Sequence, residues 1–282
     1  MVKRKDTEVV KVAPEPEFLT NYVEDDHSLE TLERIKVLNR LAVIQSNSKR
    51  EKKEAYGEGS LAIPAAGSIV ATKGEAFDFV PVFFFEEFCL WSDQDDTQSR
   101  MIIERSMDPT SELAQRSMDF DRMRENYTLS ESGEQLVSDS AEAPFTRRYV
   151  HHLNFFGVVY GDHPLKGTPV VVSFNRSDYK TGERLVQMLK MRRLSNGKRA
   201  PMWSAVLSLS VGDREDKKGH EWYGIDFANA ENPWVEAQDA DMLKAMSEEM
   251  LEDWKNDRIG VGHEEASDKT VEAEVGDGGE EF

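Results

Sequence analysis

The stretch from Phe77 to Trp91, FDFVPVFFFEEFCLW, indicates the architecture of the protein, because it contains the longest apolar run of the chain. Aromatic and β-branched residues dominate it, which favours a strand. One face would carry Phe77, Phe79, Phe83 and Phe85, and the other Val80, Val82 and Phe84. The strand is therefore expected to be buried on two sides. Pro81 has no N–H to donate, so a bulge or a sheet edge is expected there.

The pattern downstream of this strand alternates regularly between strands and helices. Strands are predicted at 148–160, 168–174, 202–210 and 220–227, and helices at 182–194 and 239–254. The fold class is mainly β with flanking helices (α+β). The order of strands and helix matches a five-stranded OB-fold barrel. An α+β sandwich, or two small domains separated by residues 92–146, remain alternatives.

The rest of the chain divides by composition. Residues 1–27 are polar and interrupted by proline, which predicts a disordered arm, and 28–59 are expected to form a helix (28–45) and a linker. Residues 60–258 form the OB-like domain, whose long insertion at 92–146 contains a helix at 110–124 and a loop at 128–144. Residues 259–282 are predicted to be a disordered acidic tail.

Composition excludes several classes of protein. The single cysteine, Cys89, rules out an internal disulfide and a cysteine-based zinc site, and it is expected to be a buried small residue. Neither a secretory signal nor an apolar run long enough for a membrane helix is visible. We expect a cytoplasmic protein without a metal or cofactor. No serine has a nucleophile-elbow context and no glycine turn is a P-loop, so we expect no enzyme.

Charge is distributed unevenly along the chain. The formal net charge is −19, yet residues 145–220 carry 14 basic and 6 acidic groups. Aromatic residues are interleaved with these cations, and proteins that hold single strands need both, because cations follow the phosphates and rings stack on unpaired bases. The alternative is that the charges only solvate the surface and the rings fill the core.

This cationic region and the rings near it supply two groups of candidate contacts with a single nucleic-acid strand. Phosphates are expected to be held by basic side chains, namely Arg147, Arg148, Arg176, Lys180, Arg192, Arg193, Lys198 and Arg199. Bases are expected to stack on Trp222, Tyr149 and Tyr179. Trp222 is singled out because strand alternation places it on a polar face with His220 and Asp226.

The chain ends in Glu280, Glu281 and Phe282, after a run rich in acids. This tail and the OB-like order over 77–228 resemble the single-stranded DNA-binding proteins of tailed phages. The resemblance implies non-enzymatic DNA binding in phage replication or recombination, in the cytoplasm of the host cell. It also implies that Glu280, Glu281 and Phe282 recruit replication or recombination proteins. Self-association through the 28–45 or 239–254 helix is a further expectation.

Two other functions stay open. The acidic surface fits a structural or regulatory phage protein that binds other proteins. The carboxylates of Asp93, Asp95 and Asp96 would suit Mg²⁺ in a metal-dependent nuclease, although a solvated acidic loop explains them as well.

Overall fold

A computed structural model describes residues 36–91, 102–123, 127–129, 135–138, 145–146, 149–215, 219 and 221–262, all within one compact unit. The strands are β1 (Lys36–Leu38), β2 (Ala42–Val43), β3 (Leu61–Ile63), β4 (Ser68–Ala71), β5 (Ala76–Trp91), β6 (Ile102–Ser106), β7 (Tyr127–Leu129), β8 (Gln135–Ser138), β9 (Phe145–Thr146), β10 (Tyr149–Tyr160), β11 (Pro169–Asn175), β12 (Ala205–Glu215), β13 (Glu221–Trp234) and β14 (Ile259–Val261). The helices are α1 (Arg50–Tyr56), α2 (Glu112–Met123), α3 (Tyr179–Met191) and α4 (Ala240–Lys255).

The central sheet has six strands and is built around β5. Its order is β11-β10-β5-β12-β13, and all of these neighbours are antiparallel. On the side away from β10, β5 pairs with β12 near its start and with β6 near its end. The expected α+β class, mainly β with flanking helices, is confirmed.

The five-stranded OB barrel is not confirmed. All five predicted strands are present in one sheet, but β11 and β13 lie at its two ends and do not pair with each other, so the sheet is open. A sixth strand, β6, comes from the predicted insertion. The smaller sheets are β2-β3-β4, β7-β8-β9 and the pair β1-β14.

The bulge predicted at Pro81 is present. The register of β10 on β5 shifts after Phe156, so that Val82 is left without a partner. Side chains of β5 beyond the bulge change sides, and Phe83 and Phe85 therefore do not share a face with Phe79 as alternation predicted.

Both faces of the central sheet are covered, as the apolar character of β5 predicted. On one face Phe79 and Phe155 pack with α3 and the β2-β3-β4 sheet, through residues such as Leu185. On the other face Val80 and Val158 pack with α4 and the β1-β14 pair. These two layers hold α3 and α4 on opposite sides of the sheet.

The helix predicted at 28–45 is wrong over its described part. Residues 36–38 form β1, which pairs in parallel with β14, and 42–43 form β2. Between them Leu41 N–H donates to Val171 O, and Val171 N–H donates to Asn39 O. This segment lies along the outer edge of β11. The predicted linker contains α1, and the arm at 1–27 lies outside the described residues.

The boundary predicted at 259 also needs correction, because residues 259–261 are β14 and their side chains are buried. The loop predicted at 128–144 contains β8 and the end of β7. The helix predicted at 110–124 is confirmed as α2. Asp93, Asp95 and Asp96 lie outside the described residues, as does the tail beyond 262.

Candidate functional site

Helix α3 rests on β11 through small and apolar residues. Leu185 and Leu189 are buried against the sheet. Gly182 allows a close approach, since an added Cβ would lie 2.6 Å from the Cβ of Phe174. The outward residues, by contrast, are charged or polar, namely Lys180, Glu183, Arg184, Gln187 and Lys190. The apolar period of the sequence therefore turns the cations of this helix towards solvent.

A tight turn follows α3. Leu194 N–H donates to Lys198 O at 2.9 Å, and Gly197 supplies the positive φ of 76° that the turn requires. Arg193 and Arg199 face each other as an isolated bridge, and the side chains of Arg193, Lys198 and Arg199 are exposed.

Helix and turn together form what we call the basic surface. It carries seven cations and one acid, namely Lys180, Arg184, Lys190, Arg192, Arg193, Lys198 and Arg199 with Glu183. Thirteen residues of α3 span about 20 Å at about 1.5 Å per residue, and the turn that carries the other cations follows its C-terminal end.

Arg192 joins the turn to the end of β13. Its guanidinium lies 3.9 Å from the ring centroid of Trp234 and donates to Pro233 O. Burial lowers the pKa of Arg192 below its usual value, although an arginine remains charged at neutral pH. Trp234 is still 38% exposed, so one ring is available beside the cations.

Trp234 was missed by the sequence analysis. The predicted last strand ended at Phe227, because residues 228–232 contain no large apolar side chain. In the structure β13 continues as the end strand of the sheet to Trp234, with mostly exposed side chains. The sequence contained only a weak indication of this exposed ring, namely a Pro-Trp pair that follows a polar stretch.

Six of the predicted phosphate contacts lie on or beside the basic surface. Lys180, Arg192, Arg193, Lys198 and Arg199 belong to it, and Arg176 precedes its helix with a positive φ of 46°. Arg147 and Arg148 lie outside the described residues, as do Glu280, Glu281 and Phe282.

Of the three predicted stacking residues, Tyr149 and Tyr179 lie beside the same pair of stacked rings, Phe88 and His151, whereas Trp222 does not. Tyr149 packs beside Phe88 and α2, and the ring of Tyr179 lies 5.0 Å from that of His151. Both tyrosines are half-buried. Trp222 is half-buried in a different place, a pocket at the start of β13.

This second site, the β12–β13 pocket, has a volume of about 300 Å³. It is lined by Ser46, Glu58, Asp213, Arg214, Glu215, Glu221, Trp222 and Tyr223. The buried Nε1 of Trp222 has no acceptor among the described residues. Four carboxylates and one guanidinium give this pocket a charge opposite to that of the basic surface.

Arg214 is held by carboxylates at the pocket wall. It donates to Asp226 at 2.6 and 3.3 Å, and its Nε lies 3.9 Å from Asp178. The hydrogen bond to Asp226 raises the pKa of Arg214. Burial raises the pKa of Asp178, although Arg214 opposes this. Arg214 is thus already paired and contributes little free positive charge.

The described residues contain no cluster of three or more histidine, cysteine or acidic side chains that could bind a metal ion. His151 packs on Phe88, while His152 contacts Asn175 from the neighbouring position of β10. Cys89 is fully buried as expected, and burial raises the pKa of its thiol far above the usual range.

Comparison with known proteins adds one result. Residues 7–258 match the family described as Pam3 phage gp34-like protein. The chain belongs to this family of phage proteins. No curated protein and no solved structure matches the chain. Within the described part of this phage protein, the helices are too short or too polar to cross a membrane.

Proposed function

We propose that this phage protein binds single-stranded DNA without catalysing a reaction, in phage replication or recombination. The observation that carries the proposal is the basic surface, where α3 and the turn that follows it carry seven cations and one acid in a chain of net charge −19. Such a concentration of cations costs electrostatic self-repulsion, and phosphates would relieve it while releasing their counterions.

The ring for stacking in this proposal is Trp234 rather than Trp222. It is exposed at the end of the basic surface and already carries the guanidinium of Arg192 on one face. A base that stacks there would contribute about 1–3 kcal/mol, independent of its identity. Met191, which is 75% exposed at the end of α3, would add apolar contact.

The sheet order gives further support. The path β11-β10-β5-β12-β13 is the order of an OB-type barrel that has been opened between its third and fifth strands. Helix α3 contacts both β11 and β13. In this interpretation the basic surface lies on the helix that bridges the two ends of the opened barrel.

The acidic end of the chain has the proposed role of recruiting replication or recombination proteins. Phe282 after Glu280 and Glu281 offers an apolar plug and two negative charges to a basic pocket.

Fluorescence anisotropy of a labelled oligo-dT strand, titrated with the full chain at several salt concentrations, tests this function. The variant R193Q/K198Q/R199Q should bind at least tenfold more weakly. Its salt slope should fall by about 2, because each lost phosphate contact removes about 0.7.

The matched control removes three exposed cations elsewhere, as R50Q/K244Q/K255Q, and should bind like the unmodified protein. Absence of binding by the unmodified protein at low salt would refute the proposal and favour a structural or regulatory role. Cleavage of the strand on addition of Mg²⁺ would refute it in favour of a nuclease.

A further inference from the structure

The basic turn and the acidic pocket lie at the two ends of β13. Arg192 ties the turn to Pro233 and Trp234, whereas Trp222 and Tyr223 line the pocket. We propose that the β12–β13 pocket binds the 192–199 turn of a second copy of this chain, so that the protein self-associates head to tail. This inference goes beyond DNA binding and does not depend on it.

Among the side chains that the structure describes, the pocket carries more negative than positive charge. Asp213 is paired with Lys73 at 2.8 Å, and Glu58 accepts a hydrogen bond from the Tyr223 hydroxyl at 2.9 Å. Glu215 and Glu221, however, face each other across the β12–β13 ladder, and neither has an ion-pair partner among the described residues. Like charges directly opposite on neighbouring strands are destabilising, so an incoming cation would be favoured there.

The pocket also has aromatic surface suited to a guanidinium. Trp222 and Tyr223 both contribute to its lining, and because Lys73 Nζ already lies 4.5 Å from the centroid of the Tyr223 ring, Trp222 offers the ring for an incoming side chain. An arginine can stack on an aromatic ring and donate to carboxylates at the same time, which a small inorganic cation cannot do. The preferred occupant is therefore an exposed arginine or lysine side chain.

The turn after α3 presents such side chains. Lys198 and Arg199 are exposed and make no ion pair within the described part of the chain, and Arg193 donates only to the nearby carbonyls of Lys190 and Arg192. Arg192 is engaged with Trp234 and fixes the base of the turn. Arg193, Lys198 and Arg199 are thus free to reach a second molecule.

The turn of one molecule cannot reach the pocket of the same molecule. Trp222 and Trp234 are twelve residues apart on β13, which is up to about 40 Å at about 3.3 Å per residue. Two different surfaces at opposite ends produce a heterologous contact, which extends to an open chain unless the rotation closes it. Because the same turn belongs to the basic surface, DNA bound there would compete with association.

Sedimentation velocity of the full chain without DNA tests the proposal. The unmodified protein should show a sedimentation coefficient that increases with concentration at low salt and falls to the monomer value at high salt. R193Q/K198Q/R199Q, which keeps the pocket, and E215Q/E221Q, which keeps the turn, should each weaken association at least tenfold.

The decisive experiment is an equimolar mixture of these two variants. Each contributes one intact surface, so the mixture should form a 1:1 dimer that cannot extend further. A control, E248Q/E252Q on α4, should associate like the unmodified protein. A monomeric unmodified protein at low salt, or a mixture that stays monomeric, would overturn the proposal.

A further experiment with DNA separates this inference from the proposed function. E215Q/E221Q should bind oligo-dT as tightly as the unmodified protein or more tightly, and oligo-dT should dissociate the unmodified oligomer. Association that persists at saturating oligo-dT would overturn the shared use of the turn. Failure of oligo-dT to bind at all would refute DNA binding while leaving the mixture result unaffected.

Discussion

The side-chain amide of Gln45 pairs with the backbone of Tyr223 as a neighbouring strand would. Its Nε2 donates to Tyr223 O at 2.7 Å, and Tyr223 N–H donates to its Oε1 at 2.9 Å. β13 is the last strand on its side of the sheet, and end strands leave their outer backbone groups unpaired. One glutamine thus closes part of this edge and attaches the segment after β2 to the pocket wall.

Replacing Gln45 tests this pairing. Q45A should lower the free energy of unfolding by about 1–3 kcal/mol, because two hydrogen bonds are lost at a partly buried site. Urea denaturation monitored by circular dichroism measures the change. Q45E should also lower the free energy of unfolding, since its carboxylate still accepts from Tyr223 N–H but has no donor for Tyr223 O and repels that oxygen. Equal stability of Q45A and the unmodified protein would contradict the role.

Tyr160 anchors the start of α4 to the sheet. Its hydroxyl donates to Asp239 at 2.6 Å and accepts from Glu236 N–H at 3.0 Å. Burial, followed by the hydrogen bond to Asp239, raises the pKa of Tyr160 to about 12. The folded protein therefore holds this proton more tightly than the unfolded chain, whose tyrosine pKa is about 10.

The stability that Tyr160 contributes should be complete below about pH 10 and be lost as the pH rises towards 12. Y160F should reduce the free energy of unfolding by about 1–2 kcal/mol at neutral pH and should show less loss of stability between about pH 10 and 12. Denaturation at a series of pH values gives both quantities. A Y160F curve parallel to that of the unmodified protein would disprove the linkage.

Gly157 permits the close contact of β10 with the β5 bulge. An added Cβ would lie 2.1 Å from Val80 O and 2.6 Å from Phe79 Cζ. G157A should therefore destabilise the protein by about 3 kcal/mol or more, through displacement of backbone and core. Thermal denaturation, or loss of soluble protein, reports the effect.

The control for Gly157 is G74A, which has a positive φ of 87° but open space around the Cβ. It should cost only about 1–2 kcal/mol. Comparable losses for both variants would show that the steric argument for Gly157 is wrong.

Trp234 is the residue on which the stacking part of the proposed function depends. W234A should weaken oligo-dT binding by about 10- to 100-fold, whereas W234F should retain most of the affinity because it keeps an aromatic face. Anisotropy titration gives these values, and circular dichroism shows whether the variants are folded. If W234A binds as well as the unmodified protein, bases do not stack there.

The central strands could be predicted from the sequence because their apolar side chains must be buried, and a sheet that is covered on both faces buries them. The aromatic run of β5 is covered on both faces, and β10 and β11 follow its pattern. The prediction of a helix at 28–45 was wrong because the spacing of Leu38 and Leu41 fits a helix as well as it fits the observed structure. Pairing of residues 36–41 with β14 and β11 overrode that local pattern.

Only half of the candidate site was predictable. The cations of 180–199 were recognisable by charge, and one amphipathic helix and its turn suffice to bring them together. The exposed ring of Trp234 could not be predicted, because Trp234 comes close to these cations only through a long polar extension of β13. The acidic pocket around Trp222 depends on strand register, which local sequence does not encode.

The parallel pair of β1 and β14 affects how the protein is made. Lys36 lies opposite Ile259, more than two hundred positions later. During synthesis β1 leaves the ribosome more than two hundred residues before β14 and must wait that long for its partner. Closure of this pair therefore belongs to the end of folding, and nascent chains that stop short of residue 259 would leave β1 without its partner strand.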